Sequence, residues 1–248
     1  MKKISPLVDY NTPWLCYRAP TATDLVYFSC NKCASTLYDQ LFKELKWNKI
    51  TTADIDWDND FVFSYIRNPV VRHRKGIVEG IFTFYPYMKQ VFNNNLPHLE
   101  FLATITSIEP HSYSIHRMLG DNALKMHWIP IDTEVDHKQE TFNLLKTRQQ
   151  IVPTEVENWF MSLEKANESY LEELNFYNQL SSIQVPPEIL RHLDFDICLY
   201  DKTITPAPHI VAPQYYSDRI HALRIQGISQ HHAEEIVDEE VYKNKHIK

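Results

Sequence analysis

Glycine is scarce in this 248-residue chain: there are four, Gly76, Gly80, Gly120 and Gly227, and none lies in the first 75 positions. A dinucleotide-binding GxGxxG turn and a nucleoside-triphosphate GxxxxGK[ST] loop both need closely spaced glycines where backbone meets phosphate, so both are excluded. Cysteine is equally sparse, with Cys16, Cys30, Cys33 and Cys198 too few and too scattered for a disulfide framework. Cys30-x-x-Cys33 has no second CxxC to complete a zinc site, and reads as small residues fitted into a tight loop rather than as a redox pair. No metal site is expected. No stretch approaches the roughly 18 apolar residues of a membrane span. The opening MKKISPLVDYNTPW lacks the apolar core of a signal peptide, so a cytoplasmic protein is expected. An excess of positive charge is missing too: the formal net charge is −7, which argues against a nucleic-acid partner while leaving room for a local basic pocket.

What is present is organised around Leu25–Leu45, LVYFSCNKCASTLYDQLFKEL. Its β-branched and aromatic start predicts a short buried strand, and Leu37, Leu41, Phe42 and Leu45 predict one apolar stripe on a helix. Between them, the loop through Asn31, Lys32, Cys33 and Ala34 ends in Ser35-Thr36 at the helix start. Free backbone N–H groups, the positive end of the helix dipole, two hydroxyls and one ammonium converge there, which makes a phosphate cradle. A plainer alternative stays open, because Thr36-x-x-Asp39 has the spacing of a capping box. Phe61–Ile66 predicts a second strand, ended by Arg67-Asn68-Pro69, and a helix runs from Val70 to about Phe84. Two strands joined by a helix of this length pair in parallel, so Lys32 and Arg67 should face one cleft from adjacent strand ends. Arg72, Arg74 and Lys75 follow, either as a solvated charged face or as part of a second anion site. Two anion sites on one cleft suit a ligand with two separated phosphates.

The remainder is less specific. Ile50–Ile55 reads as a short strand leading into Asp54, Asp56, Asp58 and Asp60; Leu96–Ile108 as a helix carrying His98; Leu124–Ile129 as a strand ending near His127 and Trp128. Both histidines can equally be packing or surface groups. Thr154-x-x-Glu157 predicts a capping box opening one long amphipathic helix to Ser181, and Pro186-Pro187 a short helix through Leu193. Residues 1–24 read as an irregular lead-in. Positions 1–204 are expected to form a single α/β domain with a helix-rich C-terminal half, and 205–248 a proline-rich linker and acidic tail in which His231-His232 is solvated.

Lys32-Cys33-Ala34-Ser35-Thr36 resembles the 5′-phosphosulfate loop of the sulfotransferases that use 3′-phosphoadenosine 5′-phosphosulfate (PAPS), and FSYIRNPVVR, Phe63 to Arg72, resembles their 3′-phosphate motif. His127-Trp128-Ile129-Pro130 is similar to the HWxP element of the Golgi-type carbohydrate sulfotransferases and their bacterial and viral relatives, and Leu193–Tyr200 resembles their closing segment. Two positions depart: Ala34 stands where the family commonly has Gly, and Lys75, eight residues after Arg67, where it usually has Ser. The resemblance implies a P-loop-like three-layer fold with a central parallel sheet flanked by helices, and sulfuryl transfer from PAPS to a hydroxyl on a carbohydrate or other acceptor without a metal. It implies that Asn31, Lys32, Cys33, Ala34, Ser35, Thr36, Arg67 and Lys75 bind the cofactor and that Lys32 stabilises the departing phosphate. A base is expected from Asp54 or Asp56, with His98 and His127 as rivals. Tyr85, Tyr87 and Trp128 suit either a sugar ring or core packing. A non-catalytic nucleotide- or glycan-binding protein on a degenerate fold of this kind is the alternative, with a phosphotransferase the weaker third; a homodimer is left open.

Overall fold

The computed structural model describes residues 13–92, 95–108, 110–163 and 171–204, all within one compact unit that ends at Ile204. The expected linker, acidic tail and His231-His232 lie outside the described residues, as does the first half of the lead-in, 1–12. The architecture is α/β. Five short strands, β1 (Leu15–Arg18), β2 (Leu25–Phe28), β3 (Asn48–Thr51), β4 (Phe61–Ile66) and β5 (His127–Pro130), form one sheet in the order β3-β1-β2-β4-β5. The helices are α1 (Ser35–Glu44), α2 (Pro69–Glu79), α3 (Lys89–Phe92), α4 (Leu96–Ala103), α5 (Ile115–Leu119), α6 (His137–Thr147), α7 (Thr154–Ser162), α8 (Leu171–Ser182), α9 (Pro187–His192) and α10 (Asp194–Ile204).

β2 and β4 are parallel neighbours in the register Leu25↔Phe61, Val26↔Val62 and Tyr27↔Phe63, as the intervening helix requires. β5 adds in parallel on the other side of β4. The sheet is nevertheless mixed rather than wholly parallel. β1, which reads from sequence as part of an irregular lead-in, runs antiparallel to both β2 and β3. The connection from Arg18 to Leu25 is too short to cross over the sheet, so it can only return the chain antiparallel. β3 also starts earlier than Ile50, and Thr52–Asp54 is a 3₁₀ turn instead of more strand.

Every residue of β2 is buried, and so are five of the six in β4, which requires cover on both sheet faces. On one face Tyr27, Phe63 and Tyr65 meet α1 through Tyr38 and Phe42. Tyr38 stacks on Tyr65 with ring centroids 3.5 Å apart, and Phe42 lies 4.4 Å from Tyr27. The Tyr38 hydroxyl pairs with His137 Nδ1 at 2.5 Å and the Tyr65 hydroxyl with Thr141 at 2.8 Å, tying α6 to the same layer. The same buried cluster takes in Ile115, Met118 and Leu119 of α5 and Leu199 of α10. A second cluster joins Ile77 and Val78 of α2 to Leu99 and Leu102 of α4 and to Phe176 and Leu180 of α8.

Two helix expectations are corrected. The span Thr154–Ser181 is not one helix, because Leu163 leaves helical geometry for extended backbone after Ser162. Nor does Thr154 cap: Pro153 is the N-cap, and its carbonyl accepts from Val156 and Glu157. Trp128 is a core residue, its indole donating to the Ala123 carbonyl at 2.8 Å, whereas Tyr87 is exposed.

His73 of α2 is buried, with its ring nitrogens 2.9 Å from the Ile105 carbonyl and 3.3 Å from that of Ser112. Burial pushes its pKa from 6.5 down to about 4. The unfolded chain binds this proton below about pH 6.5 and the folded chain only near pH 4, so the His73 contribution is complete above pH 6.5 and is lost as pH falls towards 4, by up to about 3 kcal/mol. Urea titrations across that window should show a smaller loss of stability in His73→Gln than in the unsubstituted protein; equal losses contradict it.

Candidate functional site

The loop after β2 achieves without glycine what glycine usually provides. Cys33 N–H closes a turn on the Cys30 carbonyl at 3.2 Å, and the backbone is left-handed at Lys32, φ 62°, and again at Ala34, φ 61°. A side chain in that conformation costs about 1–2 kcal/mol, a strain this loop carries at both positions. Left-handed residues running into a right-handed helix turn successive N–H groups into one hollow. Leu37 and Tyr38 both donate to the Ala34 carbonyl, while the amides of Ala34, Ser35 and Thr36 have no backbone acceptor among the described residues. Ala34 is the N-cap of α1 and no side chain caps it, so the expected Thr36/Asp39 box is absent. Asp39 is instead half-buried near Ser29 and Tyr27, where desolvation raises its carboxyl above the ordinary range. The hydroxyls of Ser35 and Thr36 are therefore available for a ligand rather than spent on the helix.

One cavity of about 550 Å³ opens on this loop, within the usual size of a small-molecule site. Lys32, Ala34, Ser35 and Thr36 line it from the loop and α1, and Arg67 from the end of β4. Lys75, Val78 and Glu79 of α2 and Thr83 of the following π-helical turn, Gly80–Phe84, form another wall. His111, and Glu173, Leu174 and Tyr177 of α8, complete the lining. The Lys32 ammonium is ion-paired with the Glu79 carboxylate, and the Lys75 ammonium lies 5.5 Å from the centre of the Tyr177 ring.

Arg67 is placed by a network that joins three of the sequence motifs. Asn68 caps α2, its side chain accepting from Val70 N–H at 3.1 Å and Val71 N–H at 3.2 Å, with Pro69 in the first turn. Asn68 N–H donates to Asp132 at 2.7 Å, just beyond the HWIP strand, and Tyr200 of the closing segment donates to the other oxygen of Asp132 at 2.9 Å. The rest of the basic run divides. Arg72 is buried and donates through both terminal nitrogens to the Tyr113 carbonyl; Arg74 caps the end of α8, donating to Ser181 O at 3.0 Å and Ile183 O at 2.5 Å. Neither is a solvated charge or a ligand-facing one. Lys75 alone of the three reaches the cavity.

The cavity thus brings together Lys32, Ala34, Ser35, Thr36, Arg67 and Lys75 of the expected cofactor set. Asn31 is half-buried in the loop, and Cys33 is fully buried; neither lines the cavity. Burial acts to raise the Cys33 thiol, but the hydrogen bond with Cys30 and the guanidiniums of Arg72 and Arg67 outweigh it and bring it below its ordinary value. Among the described residues no group of three or more His, Cys, Asp or Glu is disposed to hold a metal.

The candidates for the base are not brought there. Asp54 lines a separate hollow at the β3 edge and accepts from Thr51 N–H and Thr51 Oγ1, both at 2.9 Å, which holds its carboxyl below its ordinary value. Asp56 ties its own turn, accepting from Asn59 at 2.7 Å and Asp58 at 3.1 Å. His98 Nδ1 sits 2.8 Å from the Val91 carbonyl. His127 opens β5 beside Phe61 with its side chain exposed, at the amino end of strands whose carboxyl ends carry the cavity. Sequence reasoning missed Glu79 and Thr83, although both continue the Lys75 face of α2 at helical spacing. Nothing local signalled His111, Glu173 or Tyr177, which arrive through long-range packing.

No family model, curated protein or solved structure matches the chain.

Gly76 lets α2 approach the turn that carries His111: a Cβ there falls 2.4 Å from the His111 carbonyl oxygen and 2.7 Å from Ser112 Cα. Gly76→Ala should cost about 1–3 kcal/mol by chemical denaturation; no loss of stability contradicts this packing. Asp54→Asn should lower stability slightly through its weakened bonds to Thr51; an unchanged chemical-denaturation midpoint contradicts that role.

Proposed function

We propose that the protein is a PAPS-dependent sulfotransferase acting on a hydroxyl acceptor, with a carbohydrate or glycoconjugate as the favoured class, on a P-loop-like sheet. The observation that carries this reading is the convergence of Lys32, Ser35, Thr36, Arg67 and Lys75 on one cavity. Their chemistry fits a ligand with two separated phosphates. The Ala34–Thr36 amides and the two hydroxyls suit the 5′-phosphate; Arg67 and Lys75, from the other strand end and its helix, suit the 3′-phosphate. Lys75 serves that dianion as a point charge where a serine hydroxyl serves it in the family. PAPS supplies a sulfuryl group on a phosphosulfate anhydride. In this reading the ammonium of Lys32 neutralises the charge growing on the phosphate that is left, an electrostatic stabilisation of the transition state.

A binding protein without turnover is the second reading, and the Lys32–Glu79 ion pair favours it, because it holds the transfer lysine on a carboxylate. Calorimetric titration separates these readings. Adenosine 3′,5′-bisphosphate should bind at least about tenfold more tightly than ATP, a difference of about 1.4 kcal/mol. Lys32→Ala should keep most of that affinity while sulfuryl transfer from PAPS disappears. Equal binding of ATP, or no binding of the bisphosphate, contradicts the sulfotransferase reading; binding with no turnover in the unsubstituted protein favours the binder.

A further inference from the structure

A sulfuryl acceptor must lose a proton, and the side chains expected to take it lie away from the cavity. Three of the described lining residues can accept one: Glu79, His111 and Glu173. Their neighbours distinguish them. His111 belongs to the turn whose backbone is packed against Gly76. Glu173 shares an α8 face with Tyr177, the ring beside the Lys75 ammonium, and so belongs to the end of the cavity read as the 3′-phosphate site. Glu79 is the one of the three for which the structure shows an ion pair with Lys32 among the described residues.

We propose that Glu79 is the general base of this cavity and that its ion pair with Lys32 is the resting state of the site, a proposal that rests on the PAPS reading above. The two side chains are only 27% and 21% exposed, and the Glu79 oxygen that faces Lys32 is shielded from solvent. Glu79 ends α2 one turn beyond Lys75, and the backbone then widens into the π turn, where Tyr85 N–H reaches Gly80 O and Ile81 O, both at 3.2 Å. Such turns recur at functional sites, and this one brings Thr83 to the same wall.

The pair divides the work of one reaction. Before the donor arrives, the Glu79 carboxylate is the anion on Lys32. When the ammonium turns to the phosphosulfate, the carboxylate is left beside the reacting centre with a lone pair to use. The acceptor O–H gives its proton to Glu79 as its oxygen forms the new O–S bond. The S–O bond to the 5′-phosphate breaks, its electron pair stays on the phosphate oxygen, and Lys32 offsets that charge. The proton leaves Glu79 to solvent, so the products are the sulfate ester, adenosine 3′,5′-bisphosphate and one proton.

Water can stand in for the unidentified acceptor. Sulfate release from PAPS and calorimetric binding of adenosine 3′,5′-bisphosphate are measured for the unsubstituted protein, Glu79→Gln and Glu79→Asp across about pH 5 to 9. Glu79→Gln should bind the bisphosphate at least as tightly as the unsubstituted protein, since the competing carboxylate is gone. Its sulfate release should fall by about 10²–10⁴-fold and lose the acid limb of the pH profile, while Glu79→Asp keeps that limb at a lower rate. Release by Glu79→Gln within tenfold of the unsubstituted protein, or loss of its bisphosphate binding, overturns the assignment of Glu79 alone. An unsubstituted protein that binds no bisphosphate overturns the PAPS reading itself, and one that binds it but releases no sulfate overturns the base and leaves the binder.

Discussion

The cleft depends on the parallel pairing of β2 with β4. Parallel strands joined by a helix end on the same edge, and only that arrangement puts Lys32 and Arg67, 35 positions apart, on one wall. The pairing is held by burial rather than by anything at the edge itself. Tyr27, Phe63 and Tyr65 fill one face, and Tyr38 and Phe42 lock α1 over it. Because α1 is clamped by its aromatic face, its N-terminus cannot drift, and the left-handed backbone at Lys32 and Ala34 keeps the loop amides aimed at the cavity. Stability of the core and geometry of the site are therefore one property.

Charge is distributed against the average. A chain with a formal charge of −7 gathers Lys32, Arg67 and Lys75 around one cavity and sets Glu79 and Glu173 among them. The other basic residues of α2 do structural work: Arg72 and Arg74 bridge the helix to carbonyls of distant segments. Asp132, between Asn68 and Tyr200, performs the same service for the end of β4. Of the cavity cations, Lys32 is already engaged, its ammonium paired with the Glu79 carboxylate.

Much of the central sheet is legible in the sequence. The runs LVYF and FVFSYI are apolar enough to name the two central strands, and the helix between them dictates their direction. The loop and Arg67 followed from the same logic. What escaped was set by contacts distant in sequence or by geometry a few degrees wide. β1 carries only four residues and is a strand because neighbours pair with it. The helices α7 and α8 separate where Leu163 turns extended, against an unbroken apolar period. Thr36 and Thr154 have capping spacing, yet Ala34 and Pro153 occupy the cap positions. Asp54 and His127 carry suitable chemistry at the wrong edges, whereas Glu79 was visible at one turn from Lys75 and went unread because its neighbour in space, Lys32, lies 47 positions away.

The most direct measurement is a crystal structure of the protein with adenosine 3′,5′-bisphosphate. The 5′-phosphate should lie against the amides of Ala34, Ser35 and Thr36, the 3′-phosphate on Arg67 and Lys75, and the Lys32 ammonium should have turned from Glu79 towards the 5′-phosphate. A nucleotide bound elsewhere, or one whose phosphates leave either cluster untouched, contradicts this arrangement.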